Sequence, residues 1–245
     1  MGTRSINILG MSLLLLKKEE VIELVEQSIV EKGNSKIIFC TDFRLLYHNR
    51  LHPFIFSNDI IYYPDSLGVF LVLKALYFKQ TAGFKKLVST DIHLEILGSA
   101  NQNKRSIFLV GSTDEVLNSF TKMLRDCFPK IKLLGSRNGF YEFCESDIKV
   151  INSTRPDILL VGMGVPRQEL WVMENYQRLN AGCIITVGAF FSFYSGKTKR
   201  APKFLRKLSL EWLHRFLQEP ARLWRRYLLE YPKFFFNTVF ERLKK

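Results

Sequence analysis

Five short apolar runs rich in β-branched residues constrain this chain most. They are KIIFCT (36–41), DIIYY (59–63), SIFLVG (106–111), DILLVG (157–162) and GCIITVG (182–188). Their length and near-continuous hydrophobicity fit strands buried on both faces of a parallel sheet. Amphipathic segments at 17–32, 66–80, 90–101, 113–126 and 166–180 lie between them. Strand alternating with helix predicts an α/β fold with a mostly parallel, doubly wound, Rossmann-like sheet. A length of 245 residues, 47% of them hydrophobic, supplies a real core and argues against disorder.

The charge is unevenly spread. The chain carries a net +13, and the 49 residues from Lys197 to Lys245 hold 14 Lys and Arg against 4 Asp and Glu, which is +10 of it. That asymmetry predicts two units, an α/β domain over 1–195 and a basic helical appendage over 196–245. Within the appendage Trp224, Tyr227, Leu228 and Tyr231 recur at helical spacing, and Phe235, Val239 and Leu243 extend the stripe beyond Pro232. Pro232 is expected to break or kink that helix. A basic, aromatic amphipathic helix suits an anionic membrane surface, and a stripe of this kind also suits packing onto the body. Nucleic-acid binding is not expected, because the aromatics follow an apolar stripe instead of a basic platform. The four cysteines form no C-x-x-C pair, and no signal peptide, spanning segment or myristoylation pattern stands at the start, so a cytosolic protein with reduced thiols is expected.

Several strands end in glycine just before a helix, where open α/β sheets bind ligands and helix N-termini favour anions. In SIFLVGSTDEV, Gly111 ends the strand, and Ser112 with Glu115 has capping-box spacing. In PDILLVGMGVPRQELW (156–171), Gly162 and Gly164 leave bare backbone at the strand end, Pro166 suits a first helical turn, and Gln168 brings an amide. In YYPDSLG (62–68), Asp65 stands at another strand end, as a general base or as a helix cap. No Walker loop, G-x-G-x-x-G or G-x-S-x-G occurs, so neither NAD binding nor a serine hydrolase is signalled.

PDILLVGMGVPRQELW and KRAPKFLRKLSLEWLHRFLQEPARLWRRYL (199–228) together resemble the long motifs of the bacterial WecG/TagA/CpsF glycosyltransferases, glycosyltransferase family 26. KLVSTDIHLEIL, IFLVGSTDEV and YYPDSLGV resemble its other blocks less fully. The resemblance implies an inverting enzyme that moves a sugar, often of N-acetylmannosamine type, from a UDP-sugar to a polyprenyl-diphosphate-linked saccharide. It implies work at the inner face of the cell membrane in making teichoic acid, common antigen or capsule, with no cofactor and no metal; the absence of D-x-D agrees. By the same resemblance Asp65 falls on the catalytic base, Gln168 on a pocket glutamine, and Arg215, Arg222 and Arg225 on the arginines of an appendage that covers the active site. The family's asparagine after the second strand falls on Thr41 or Asp42.

Five segments depart from the family pattern, the asparagine position at Thr41 or Asp42 among them. Ser66 follows Asp65 in place of glycine, Ala189 and Ser192 replace a glycine and an acidic residue, Phe140 replaces a tyrosine, and Ser89 replaces the glycine of G-T-D. They keep a second reading open: a weakened relative that binds nucleotide-sugar or lipid-linked glycan without turnover. Donor sugar, acceptor and oligomeric state stay open, a homo-oligomer included.

Overall fold

The computed structural model describes residues 4–31, 36–51, 59–197, 201–202, 204–205 and 210–243. An antiparallel hairpin, β1 (Ser5–Ile8) and β2 (Met11–Leu14), comes first. Six strands then form one parallel sheet: β3 (Lys36–Thr41), β4 (Ile60–Pro64), β5 (Ser106–Gly111), β6 (Lys132–Arg137), β7 (Ile158–Gly162) and β8 (Cys183–Thr186). Their spatial order is β4-β3-β8-β7-β5-β6. All five expected runs form strands. The hairpin was not expected, nor was the edge strand β6, whose KLLGSR sequence is only alternately half-buried, nor were three helices of the body over Phe43–Leu51, Glu145–Thr154 and Phe190–Tyr194.

Strand alternation divides the core between the two faces of the sheet. In β3, Ile37 and Phe39 join one cluster while Ile38 and Cys40 join the other. In β7, Leu159 and Val161 face one way and Ile158 and Leu160 the other. On one face lie α1 (Lys18–Val30), α4 (Ser89–Gln102), α5 (Asp114–Cys127) and α8 (Phe190–Tyr194), contributing Val21, Ile92, Phe120 and Phe190. On the other lie α2 (Phe43–Leu51), α3 (Leu67–Leu76), α6 (Glu145–Thr154), α7 (Arg167–Asn175) and the hairpin. Helices on both faces are what a parallel sheet with two apolar faces requires.

The appendage contributes α9 (Glu211–Gln218), α10 (Pro220–Arg225), a π turn (Arg226–Glu230) and α11 (Tyr231–Leu243). The helical run continues through Pro232, but it leaves α geometry for a π turn just before it. The Tyr231 N–H bonds back five residues to the Arg226 carbonyl, so the wider π turn gives the proline ring room against the preceding turn. The α11 helix packs on α2 and α3, and Phe234, only 1% exposed, belongs to the main core. The apolar stripe therefore splits. Leu223, Phe234 and Thr238 face the body, while Trp224, Leu228, Phe236 and Phe240 stay exposed.

Candidate active site

The carboxyl ends of the strands open into a cleft of about 1190 Å³. Asp42, Asp65, Ser112, Gly162, Gly164 and Gly188 line it from the sheet side, and Arg215, Arg225, Arg226 and Tyr231 line it from the appendage. The sheet order makes this possible. β3 and β4 run outward to one edge, β5 and β6 to the other, and the ends of β7 and β8 lie between.

Asp65 follows β4 directly, its N–H donating to the Thr41 carbonyl at 2.8 Å. Its carboxylate accepts from the Ser89 N–H at 3.1 Å on Oδ1 and from the Ser89 hydroxyl at 2.8 Å on Oδ2. Burial pushes this carboxyl above its ordinary range; the Ser89 and Ser66 donors pull it back, and nearby Asp42 adds to the rise. A half-buried carboxylate raised toward neutrality, open to a cleft, is suited to taking a proton from a hydroxyl. Asp65 does not cap α3. Ser66 does, accepting the Val69 N–H, with its own backbone at φ 75° and ψ 152°.

Gln168 lines the cleft but is fully buried, and its amide is spent inside the protein. Oε1 accepts from the Gly164 N–H and from the Gly188 N–H, each at 3.1 Å, and Nε2 donates to Glu169 Oε1 at 2.6 Å. Two N–H donors on one side fix which end of the amide is the oxygen. Gln168 thus ties the loop after β7 to the loop after β8. Glu169 is fully buried, and burial raises its carboxyl to about 8. The two glycines of this segment differ. A side chain at Gly162 would strike the Phe191 ring within 2.8 Å, so its space is taken by the core. Gly164 has φ 81° with open space before it, leaving its backbone accessible from the cleft.

The remaining expected positions divide. Phe140 and Ser192 line the cleft, and Phe140 also stacks with the Arg167 guanidinium at 5.6 Å. Of the two alternatives after β3, Asp42 lines the cleft, while the Thr41 side chain is buried beneath it. Gly111 lies behind the cleft wall against Gly162, with Ser112 reaching the surface. The expected cap on α5 falls one residue later. Thr113 accepts the Val116 N–H, because Ser112 takes a φ of 59°, and Glu115 pairs instead with Lys197 at 2.7 Å. Arg215 reaches the cleft and lies over the Phe193 ring at 5.1 Å; Arg225 lies over Trp224 at 5.4 Å. Arg222 sits on α10, and its side chain lies outside the described residues.

Arg226 was not anticipated from the sequence. Its guanidinium pairs with Asp42 at 3.0 Å and covers the Phe43 ring at 5.4 Å. An R-R pair at 225–226 was the only local signal, and nothing local distinguishes the second arginine from the first. The cleft is therefore a carboxylate at one strand end, bare backbone at another, and a cationic, aromatic wall supplied by the appendage. Such a wall can balance negative charge that develops on a leaving group.

Comparison with known proteins matches residues 6–245 to the Glycosyl transferase WecG/TagA/CpsF family. A Bacillus subtilis (strain 168) relative, an N-acetylglucosaminyldiphosphoundecaprenol N-acetyl-beta-D-mannosaminyltransferase, is 31% identical over 77% of this chain and 71% of its own length. A Bacillus spizizenii relative of the same name is 29% identical over 78% of this chain and 72% of its own. A Staphylococcus aureus (strain MW2) relative, again so named, is 33% identical over 63% of this chain and 61% of its own. With the match spanning both the sheet and the appendage that walls its cleft, the chain belongs to the WecG/TagA/CpsF glycosyltransferase family.

Proposed function

We propose that this glycosyltransferase moves an N-acetylmannosamine-type sugar from a UDP-sugar to N-acetylglucosamine carried on a polyprenyl diphosphate. The names of the relatives support the acceptor class and the β-linkage of the product. The observation that carries the reading is Asp65, a carboxylate at the end of β4, raised by burial and open to a cleft whose other wall is cationic. Asp65 takes the proton of the acceptor hydroxyl as its oxygen attacks the anomeric carbon. The bond from that carbon to the UDP oxygen breaks on the opposite face, which inverts the centre. Arg215 and Arg225, with Arg222 on the same appendage, meet the charge left on the diphosphate. Gln168 shapes the floor by fixing Gly164 and Gly188.

In this reading the enzyme works at the inner membrane face. Among the described residues no helix is long and apolar enough to cross a membrane. The exposed Trp224, Leu228, Phe236 and Phe240 beside Arg225, Lys233 and Arg242 support surface docking.

The test is UDP release with a short-chain polyprenyl-diphosphate N-acetylglucosamine acceptor in detergent. Asp65→Asn should keep the fold and donor binding while turnover falls by about 10²–10⁴-fold. Near-normal turnover in that variant rejects Asp65 as the base.

A further inference from the structure

We propose that Ser89 is a positioning residue that fixes the plane of the Asp65 carboxylate and holds it in the form that accepts a proton. This rests on Asp65 being the base. Ser89 is the first residue of α4, 24 positions beyond Asp65, and it makes both contacts itself: N–H to Oδ1 at 3.1 Å and hydroxyl to Oδ2 at 2.8 Å. One donor on each oxygen stops rotation about the Cβ–Cγ bond, which a single donor would not. Because α4 is packed into the core through Ile92, Ile96 and Leu97, its first turn is a rigid support for this clamp.

The electrostatics give the hydroxyl a second effect. The Cys40 thiol on β3 and the Tyr63 hydroxyl on β4 both interact with Asp65, and Asp42 after β3 disfavours a second negative charge beside it. Lys86 and Asp91, on either side of Ser89, line the same cleft, as do Arg226 and Tyr231 from the appendage. Burial and Asp42 push the carboxyl toward its neutral form. The Ser89 donors and the Ser66 N–H push the other way. Among the described residues the Ser89 hydroxyl is the one side-chain donor in that balance, so it can be removed without disturbing the backbone.

Ser89→Ala deletes the hydroxyl and keeps the backbone N–H. Steady-state turnover is measured against pH with a short lipid-linked acceptor in detergent. The acidic limb of the kcat profile should move to higher pH by about one to two units, the shift that a lost hydrogen bond to a charged group produces. The donor KM should change little, and Ser89→Thr should return the limb toward its original position. A folded Ser89→Ala enzyme with an unmoved limb overturns the proposal, as does a Ser89→Thr enzyme that behaves like the alanine variant. Should Ser89→Ala not fold, Ser89→Gly carries the same expectation. The two readings fail separately. An unmoved limb with an inactive Asp65→Asn enzyme removes only the role of Ser89, whereas an active Asp65→Asn enzyme removes the base.

Discussion

Arg226 and Asp42, 184 residues apart, form an ion pair at 3.0 Å that closes the appendage onto the sheet. The pair does more than join two charges. Asp42 also accepts the Arg44 and Leu45 N–H groups at 2.9 and 3.1 Å, so it caps α2. Arg226 covers Phe43, whose ring packs against Tyr231, tilted by 32°, with centroids 3.6 Å apart. The start of α2, the cleft edge and the π turn are therefore one structural unit.

Breaking this pair should cost stability and activity together. The two side chains are only 20% and 13% exposed, so little solvent screens them. Removing one partner of a buried pair costs about 3–5 kcal/mol, and residual exposure places Arg226→Met toward the lower end. Adding Asp42→Asn to that variant should cost little more, since asparagine also caps helices. A denaturant double-mutant cycle measures this; additive losses would show that the two residues do not act on each other.

Much of this fold was legible because each sheet strand except β6 is buried on both faces and so reads as a local apolar run. β6 was not, because an edge strand with Lys132, Ser136 and Arg137 carries no such run. The hairpin was hidden by its shortness, four residues a side. At the site, Asp65, Gly164 and Gln168 were visible because strand ends are marked by local sequence. The partners that define their roles were not, since Ser89 meets Asp65, and Gly188 meets Gln168, only after the sheet has assembled.

Gln168→Ala should lower both stability and turnover. From sequence this residue was expected only as a pocket glutamine. The structure alters that expectation, because two backbone N–H groups at the cleft floor depend on its oxygen. Each buried donor left without a partner costs about 1–3 kcal/mol, less where the cleft admits water. Thermal melting and UDP release on the same preparation check this. Unchanged melting with lost turnover would make the glutamine a direct substrate contact instead.

Glu169 gives a pH dependence with a definite sign. Its carboxyl is raised from 4.5 to about 8 by burial. Between those values the folded protein holds a proton that the unfolded chain has released. The contribution of this group to stability therefore falls as pH rises through that window and levels off above it. Glu169→Gln keeps an acceptor for Gln168 Nε2 and has no charge to bury. Urea midpoints at pH 6 and pH 9 should diverge, the variant gaining on the parent at the higher pH. Parallel curves would mean that Glu169 is not held protonated.

The appendage should separate membrane docking from catalysis by residue. Phe236→Ser with Phe240→Ser removes rings that are 68% and 60% exposed, so the fold should tolerate it. That variant should lose sedimentation with anionic vesicles at low salt and keep turnover in detergent. Arg215→Ala and Arg225→Ala should instead lose turnover in detergent, with lysine restoring part of it because an ammonium makes no bidentate phosphate contact. Deleting the whole appendage is the poorer experiment, since it would strip Phe234 from the core. Equal vesicle binding by the serine variant would place docking elsewhere.

Ser66 carries the clearest backbone strain at the site. Its φ of 75° with ψ of 152° lies where glycine is at home and a side chain costs about 1–3 kcal/mol. The serine recovers part of this. Its hydroxyl caps α3 by accepting the Val69 N–H at 3.4 Å and also bonds the Tyr231 side chain. Ser66→Gly loses those bonds and relieves the backbone, so its stability should match or exceed the parent's. Ser66→Ala loses the bonds and keeps the strain, so it should be the least stable of the three. Glycine above alanine by about 1–3 kcal/mol is the reverse of their usual order in a helix or strand, which makes the comparison diagnostic. Because Asp65 precedes this residue and accepts its N–H, the glycine variant should also report whether the strained backbone aims the base. Unchanged turnover in a stabilised Ser66→Gly enzyme would show that the strained backbone does not aim the base; alanine equal to or above glycine in stability would refute the strain itself.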